Sequence, residues 1–204
     1  MPKFVDPEVR RREVTKIAAE LIVSGGRAAL TVRNVAEAAG CSSTVVSHYF
    51  TDMADLFHET YALAAKRANR RVMAVLDRDP GDIVGLIEAV LPLDRERVED
   101  WRIWFAFWSE ALTAPGFATE QRQRAQATLV RIAQCLTLLA ERGALAASVD
   151  IDSAAHRLAA LIPGIASEAI FDARRWTPAR QRQVLRSELA LIGLGAPAAV
   201  ARVR

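Results

Sequence analysis

Residues 31–50 (Thr-Val-Arg-Asn-Val-Ala-Glu-Ala-Ala-Gly-Cys-Ser-Ser-Thr-Val-Val-Ser-His-Tyr-Phe) leave room for little except two short helices around a tight turn. In the first, Val32, Val35, Ala36 and Ala39 recur at i, i+3, i+4 and i+7 and give one apolar face. Thr31 precedes that run, where its hydroxyl can accept an orphan backbone N–H. Gly40 follows it, where a residue of positive φ ends a helix. Ser42 or Ser43 can cap the second helix, in which Val45, Val46, Tyr49 and Phe50 alternate with Thr44, Ser47 and His48. That helix is about as long as a major groove admits, and it displays small hydroxyls and an imidazole. A helix-turn-helix whose second helix reads duplex DNA fits this pattern. An ordinary helical hairpin, with the serines acting only as caps, is the competing reading.

The flanks extend the pattern. A helix near Pro7–Val23 carries Arg10, Arg11, Arg12 and Lys16 and ends at Ser24-Gly25-Gly26; Met53-Ala-Asp-Leu-Phe57 opens a fourth helix. The block from about residue 9 to 57 resembles the N-terminal DNA-binding domain of the TetR family of one-component repressors. The resemblance rests on Gly25-Gly26, Thr31-Val32, Val35-Ala36, Ala39-Gly40, Ser42, Tyr49-Phe50 and Leu56. It implies a DNA-facing set of Thr31, Arg33, Ser42, Ser43, Thr44, Ser47, His48 and Tyr49, with Tyr49 on a phosphate. Met53 stands where the family usually has a lysine, which removes one charge-assisted phosphate contact. Arg33 or the Arg10–Arg12 cluster is expected to supply that charge. Cys41 reads as a small buried hydrophobe in the turn, with a redox-sensing thiol as the alternative.

Composition narrows the class. The chain has 204 residues, 51% apolar and 25% charged, which is the balance of a folded protein of one or two domains. Net charge is only +3, and acidic side chains slightly outnumber basic ones in residues 1–60, so DNA-facing charge must come from placement. Two cysteines, Cys41 and Cys135, and no signal peptide point to a reducing cytoplasm. The apolar run Leu189–Ala201 is broken by Gly193, Gly195 and Pro197 and is too short to span a bilayer, so no membrane partner is expected. His48, His58 and His156 have no metal-ligand spacing with the cysteines or one another. No nucleophile elbow or P-loop is present. Gly193-Leu-Gly195-Ala-Pro-Ala198 matches a dinucleotide fingerprint in form but has no βαβ unit after it. No catalytic residue, metal or cofactor is therefore expected.

Beyond the motif the periodicity is helical. Helices are predicted over about 53–78, 82–91, 94–113, 118–142 and 152–174, the last kinked or divided by Pro163-Gly164. A final helix opens with Thr177 as N-cap and Pro178 in its first turn. The expected fold is all-α: a three-helix helix-turn-helix head over residues 1–52, a ligand-binding and dimerisation bundle over 53–195, and a tail over 196–204. About nine helices in total are expected.

Two stretches bear on partners. Leu158, Leu161, Ile162 and Ile165 line the penultimate helix, and Leu185, Leu189 and Ile192 the last. These stripes cover either the chain's own core or a second copy. The resemblance implies the latter, a four-helix homodimer interface, and two-fold symmetry suits recognition helices that must reach grooves about 34 Å apart. The other stretch is Trp101–Leu112, which holds three of the four tryptophans. Trp101, Phe105, Trp108 and Leu112 share a helical face, with Trp104 beside Trp108. Aromatic faces attract organic cations, and Glu110 could add a carboxylate; plain core packing is the competing reading.

Met1-Pro2-Lys3, Arg10–Arg12, Ser47–Phe50 and Trp104–Trp108 resemble the BetI-type branch of the family, which includes a choline-responsive repressor. That branch often has Asp-Gly where this chain has Pro163-Gly164. The resemblance implies a repressor that binds double-stranded operator DNA and is released by a small-molecule effector, such as choline or another organic cation. The effector pocket is expected between helix four and the helices of 101–112 and 117–142, walled by Trp101, Trp104, Phe105 and Trp108. Coupling to the head is expected through helix four. A helical ligand-binding protein or an enzyme without DNA binding is the alternative.

Overall fold

Short polar side chains start most of the helices. In the computed structural model, which describes residues 6–194, Asp6 accepts the Glu8 amide at 2.9 Å ahead of Pro7. Thr31 accepts from Asn34 at 3.2 Å, Asp82 from Gly85 at 2.7 Å, and Thr177 from Arg180 at 3.3 Å. Each satisfies a backbone donor that the first helical turn leaves open. Gly26 and Gly40 sit at φ 69° and 60°, and Gly143 at 70°, where the chain leaves a helix in the left-handed region.

The helices are α1 Pro7–Gly25, α2 Val32–Ala38, α3 Ser43–Tyr49, α4 Met53–Leu76, α5 Ile83–Glu88, α6 Arg95–Ala111, α7 Pro115–Glu141, α8 Ile151–Phe171 and α9 Pro178–Leu191. A 3-10 turn spans Arg27–Ala29. No strand occurs among the described residues; Leu145 and Leu194 form an isolated bridge. The fold is all-α, with nine α-helices among the described residues, as the periodicity predicts. Pro163 does not divide α8, which is one helix through it. The buried Ile162, Ile165 and Ala166 hold this stretch in place, so packing outweighs the backbone hydrogen bond that proline cannot make.

Packing divides the chain elsewhere than the sequence suggests. One compact unit comprises residues up to 67 together with 99–118; the other comprises 68–98 together with residues from 119 on. The break falls inside α4 rather than at residue 52, because the first turns of α4 belong to the core of the head. The expected tail, 196–204, lies outside the described residues.

In the first unit, Val14, Ala18 and Ile22 of α1 pack with Val35 of α2, Val46 of α3 and Leu56, Phe57 and Tyr61 of α4. Ile103 and Phe107 of α6 complete the cluster. Tyr61 stacks on Phe107 with centroids 3.6 Å apart, and Phe117 meets Phe107 edge-on at 4.9 Å. Truncating a ring this buried costs about 3–5 kcal/mol. Asp100 is fully buried and takes the Nε of Arg67 at 2.9 Å. A buried carboxylate without such a partner would be strongly destabilising.

In the second unit the buried side chains come from α5 (Ile83, Leu86, Ile87), α7 (Ile132, Cys135, Leu136), α8 and α9. Buried Gln181 donates to the carbonyls of Pro92 and Trp176 at 3.2 and 3.0 Å. Leu158, Ile162, Ile165, Leu185, Leu189 and Ile192 are all at most 5% exposed within one protomer. These six are therefore covered mainly within their own protomer. Of the seven residues expected at a dimer interface, Leu161 alone keeps part of its side chain outward.

Candidate nucleic-acid interface and aromatic segment

The alternation in α2 and α3 becomes a two-sided surface. Val35, Val46 and Phe50 point into the head core, with Val32 and Tyr49 packed at its margin. Thr31, Arg33, Ser42, Ser43, Thr44, Ser47 and His48 are exposed, and Tyr49 is half-buried. All eight residues expected at DNA thus lie on two adjacent helices and their caps. The Thr31 hydroxyl already accepts the Asn34 amide. Ser42 occupies the N-cap position of α3, yet its side chain makes no capping bond, so its hydroxyl is left for another partner. The His48 ring meets that of Tyr49 edge-on at 5.2 Å.

The α1 arginines do something other than expected. Arg10 pairs with Glu13 at 3.0 Å and donates to the Ala39 carbonyl at 3.3 Å. Arg11 donates to the Tyr49 carbonyl, pairs with Glu59 at 3.1 Å and lies 4.5 Å from the Phe50 ring centre. These two arginines pin α1 to the ends of α2 and α3. Among the described residues, Arg12, Lys16 and Arg33 are the exposed cations left in this region. Glu13 three residues after Arg10 was a legible signal; the Arg11 partners are distant in sequence and were not. Met53 packs half-buried against the head core, as does Cys41, the place expected of a small hydrophobe in the turn.

The aromatic segment condenses on α6. Trp101 is buried, and its ring lies 4.9 Å from Trp104, 5.3 Å from Phe105 and 5.7 Å from Trp108. Phe105 and Trp108 meet edge-on at 5.5 Å. Trp104 and Trp108 also lean on the core of the head. Leu112 departs from the expected face and is 86% exposed, because α6 ends at Ala111. Glu110, expected as a free carboxylate, lies 3.6 Å from the Nε of Arg27. An open groove of about 360 Å³ on the second unit is lined by Val149, Asp150, Arg157, Leu191 and Ile192, among others, and by no aromatic residue.

Family comparison fits this layout. Residues 14–60 match the family of bacterial regulatory proteins of tetR type, and residues 82–193 match the C-terminal domain of BetI-type transcriptional repressors. The chain belongs to the TetR family. This TetR-family regulator is 26% identical to the transcriptional regulator PksA of Bacillus subtilis over 192 residues, covering 91% of this chain and 90% of that protein. It is 29% identical to BetI of Stenotrophomonas maltophilia over 130 residues, 62% of this chain and 66% of that one. A transcriptional regulator from Rhodococcus superposes with a TM-score of 0.78 at 22% identity, covering 92% of this chain and 96% of that one. A protein from Saccharomonospora viridis, solved in complex with choline, superposes with a TM-score of 0.79 at 23% identity over 92% and 98% of the two chains.

The TetR-family assignment makes the protein a DNA-binding transcriptional regulator rather than an enzyme. Among the described residues there is no His, Cys, Asp and Glu cluster able to hold a metal ion. No described helix is long and apolar enough to cross a membrane.

Proposed function

We propose that this regulator is a homodimeric repressor that works in the cytoplasm, binds operator DNA through α3, and leaves it when a small organic cation binds beside α6. The observation that carries the reading is the row Thr44, Ser47 and His48. These three are exposed on a helix whose other face is locked into the head core. None of the three belongs to the head core, while a major groove offers donors and acceptors to all three. Arg33 and the Tyr49 hydroxyl are assigned to phosphates, which set register without reading sequence.

The effector is assigned to the aromatic cluster, with choline as first candidate. The BetI-type match and the choline complex of the Saccharomonospora protein support this, as do four aromatic rings on consecutive turns of α6. Because Glu110 sits by Arg27, attraction to a cation would come chiefly from the rings, worth about 2 kcal/mol or more in a desolvated cage. An effector shifts the regulator off DNA only by binding one conformation better than the other.

The second copy is assigned to the outward face of α8. Ala160, Gly164, Ser167 and Phe171 recur there at i, i+4, i+7 and i+11; Phe171 is 84% exposed and Ala160 and Gly164 are exposed small residues. Small residues let helices approach closely, and an exposed phenyl ring gains from cover.

Sequencing the fragments that the purified protein retains from its own genomic DNA tests the assignment. A shared palindromic site released by millimolar choline supports every part. A site unaffected by choline removes the choline assignment and leaves the DNA-binding one. Random retention at all salt concentrations contradicts the operator reading.

A further inference from the structure

From Ser42 to Tyr49 the chain holds only serine, threonine, valine, histidine and tyrosine. The two-bond pairs that mark a base in the major groove, Arg or Lys on guanine and Asn or Gln on adenine, are therefore not open to α3. Arg33 stands on α2, the helix that crosses the DNA backbone in this motif. Serine hydroxyls donate and accept alike, so they tell bases apart poorly. His48 lies in the last turn of α3, whereas the first residues of a recognition helix meet the base edges. Thr44 is the second residue of α3 and is exposed. It shares its face with Ser47 and His48 at i, i+3 and i+4. Four threonines inside longer helices, Thr15, Thr60, Thr128 and Thr137, turn their hydroxyls onto the carbonyl four residues earlier at 2.8–3.0 Å. The residue four before Thr44 is Gly40, outside the helix, so Thr44 is not tied in that way. Its methyl group is the apolar contact that the exposed row of α3 can offer a base.

We propose that Thr44 is the specificity-determining residue of α3 and that it reads a thymine, its methyl group packing on the C5-methyl of that base, while Ser43, Ser47 and His48 add single hydrogen bonds. The inference deepens the repressor reading and rests on its DNA-binding part, but not on the effector or on the mode of assembly. The thymine methyl is unique to one base in the major groove, so an apolar contact there discriminates where a hydroxyl does not.

The test uses a duplex selected from genomic fragments, with each thymine of a half-site replaced in turn by uracil. That change removes one methyl group and keeps the base pair and its hydrogen-bonding edge. At one position the parent should bind the uracil duplex about fourfold more weakly, the worth of one buried methyl. Thr44→Ser keeps the hydroxyl and loses the methyl; it should bind the thymine duplex about fourfold more weakly than the parent and no longer distinguish uracil from thymine at that position. Thr44→Val keeps the apolar branch and should retain the distinction. Position 44 is exposed, so both variants should keep the parental thermal midpoint. Equal binding of every uracil duplex by the parent, or undiminished discrimination by Thr44→Ser, overturns the thymine assignment and leaves DNA binding standing. Failure of the parent to select any duplex overturns the DNA-binding reading, and this inference with it.

Discussion

Arg11 on α1 donates to the carbonyl of Tyr49, the closing residue of α3, from 38 positions earlier in the chain. The same guanidinium covers the Phe50 ring and meets Glu59 and Asp55 of α4. One side chain thus fixes where the recognition helix ends and where α4 begins.

Replacing Arg11 with Gln is predicted to destabilise the head by about 1–2 kcal/mol, a charged hydrogen bond discounted for partial exposure. Arg12→Gln, at an exposed position on the same helix, leaves stability unchanged. Urea unfolding followed by circular dichroism checks both. Equal midpoints for the two variants would remove the pinning role of Arg11.

The two thiols should behave differently. Burial pushes the Cys135 thiol up to about 11, helped by the carboxylates of Asp82 and Asp79. Cys41 is half-buried near the surface turn. In native protein at pH 8, a thiol reagent such as DTNB should label Cys41 first and Cys135 only after unfolding. The folded pKa of Cys135 lies above the unfolded value of about 8.5. Its contribution to stability is therefore complete below that pH and declines as pH rises toward 11. Cys135→Ala should flatten this alkaline decline; an unchanged pH profile would show that the thiol has no part in it.

Assembly separates two kinds of substitution. Leu189→Glu puts a charge into a protomer core position that is 2% exposed, and should unfold the chain rather than yield monomers. A Cβ at Gly164 would meet nothing within 4 Å in the protomer. Gly164→Leu should therefore fold normally and block a close approach of two α8 helices. Sedimentation of a folded monomer for Gly164→Leu and a dimer for the parent supports the α8 face. A dimeric Gly164→Leu places the second copy elsewhere.

Local features were legible in the sequence because they depend on few neighbours. Thr31 caps α2, Gly40 takes positive φ, and Thr177-Pro178 opens α9, each through contacts within four residues. The apolar stripes were legible as buried faces, but a stripe does not name what buries it. Leu158 and Leu189 are covered within their own protomer. Arg10 and Arg11 looked like spare cations because Ala39, Tyr49 and Glu59 come near them only in the folded chain. The same holds for Glu110 and Arg27, 83 positions apart by their numbering. The break within α4 was hidden because one continuous helix serves two cores, and periodicity along it does not change where the partner does.

Operator affinity of the Thr44→Ala, Ser47→Ala, Tyr49→Phe triple variant, measured beside the parent at one fixed salt concentration, tests the central claim most directly. None of the three changes removes a core contact other than the margin occupied by the Tyr49 ring, which phenylalanine retains. Each lost base or phosphate contact is worth about 1 kcal/mol or more, so the variant should fold as the parent does and bind its operator at least ~10-fold more weakly. Parental affinity in a folded triple variant would contradict the assignment of α3 as the DNA-reading helix.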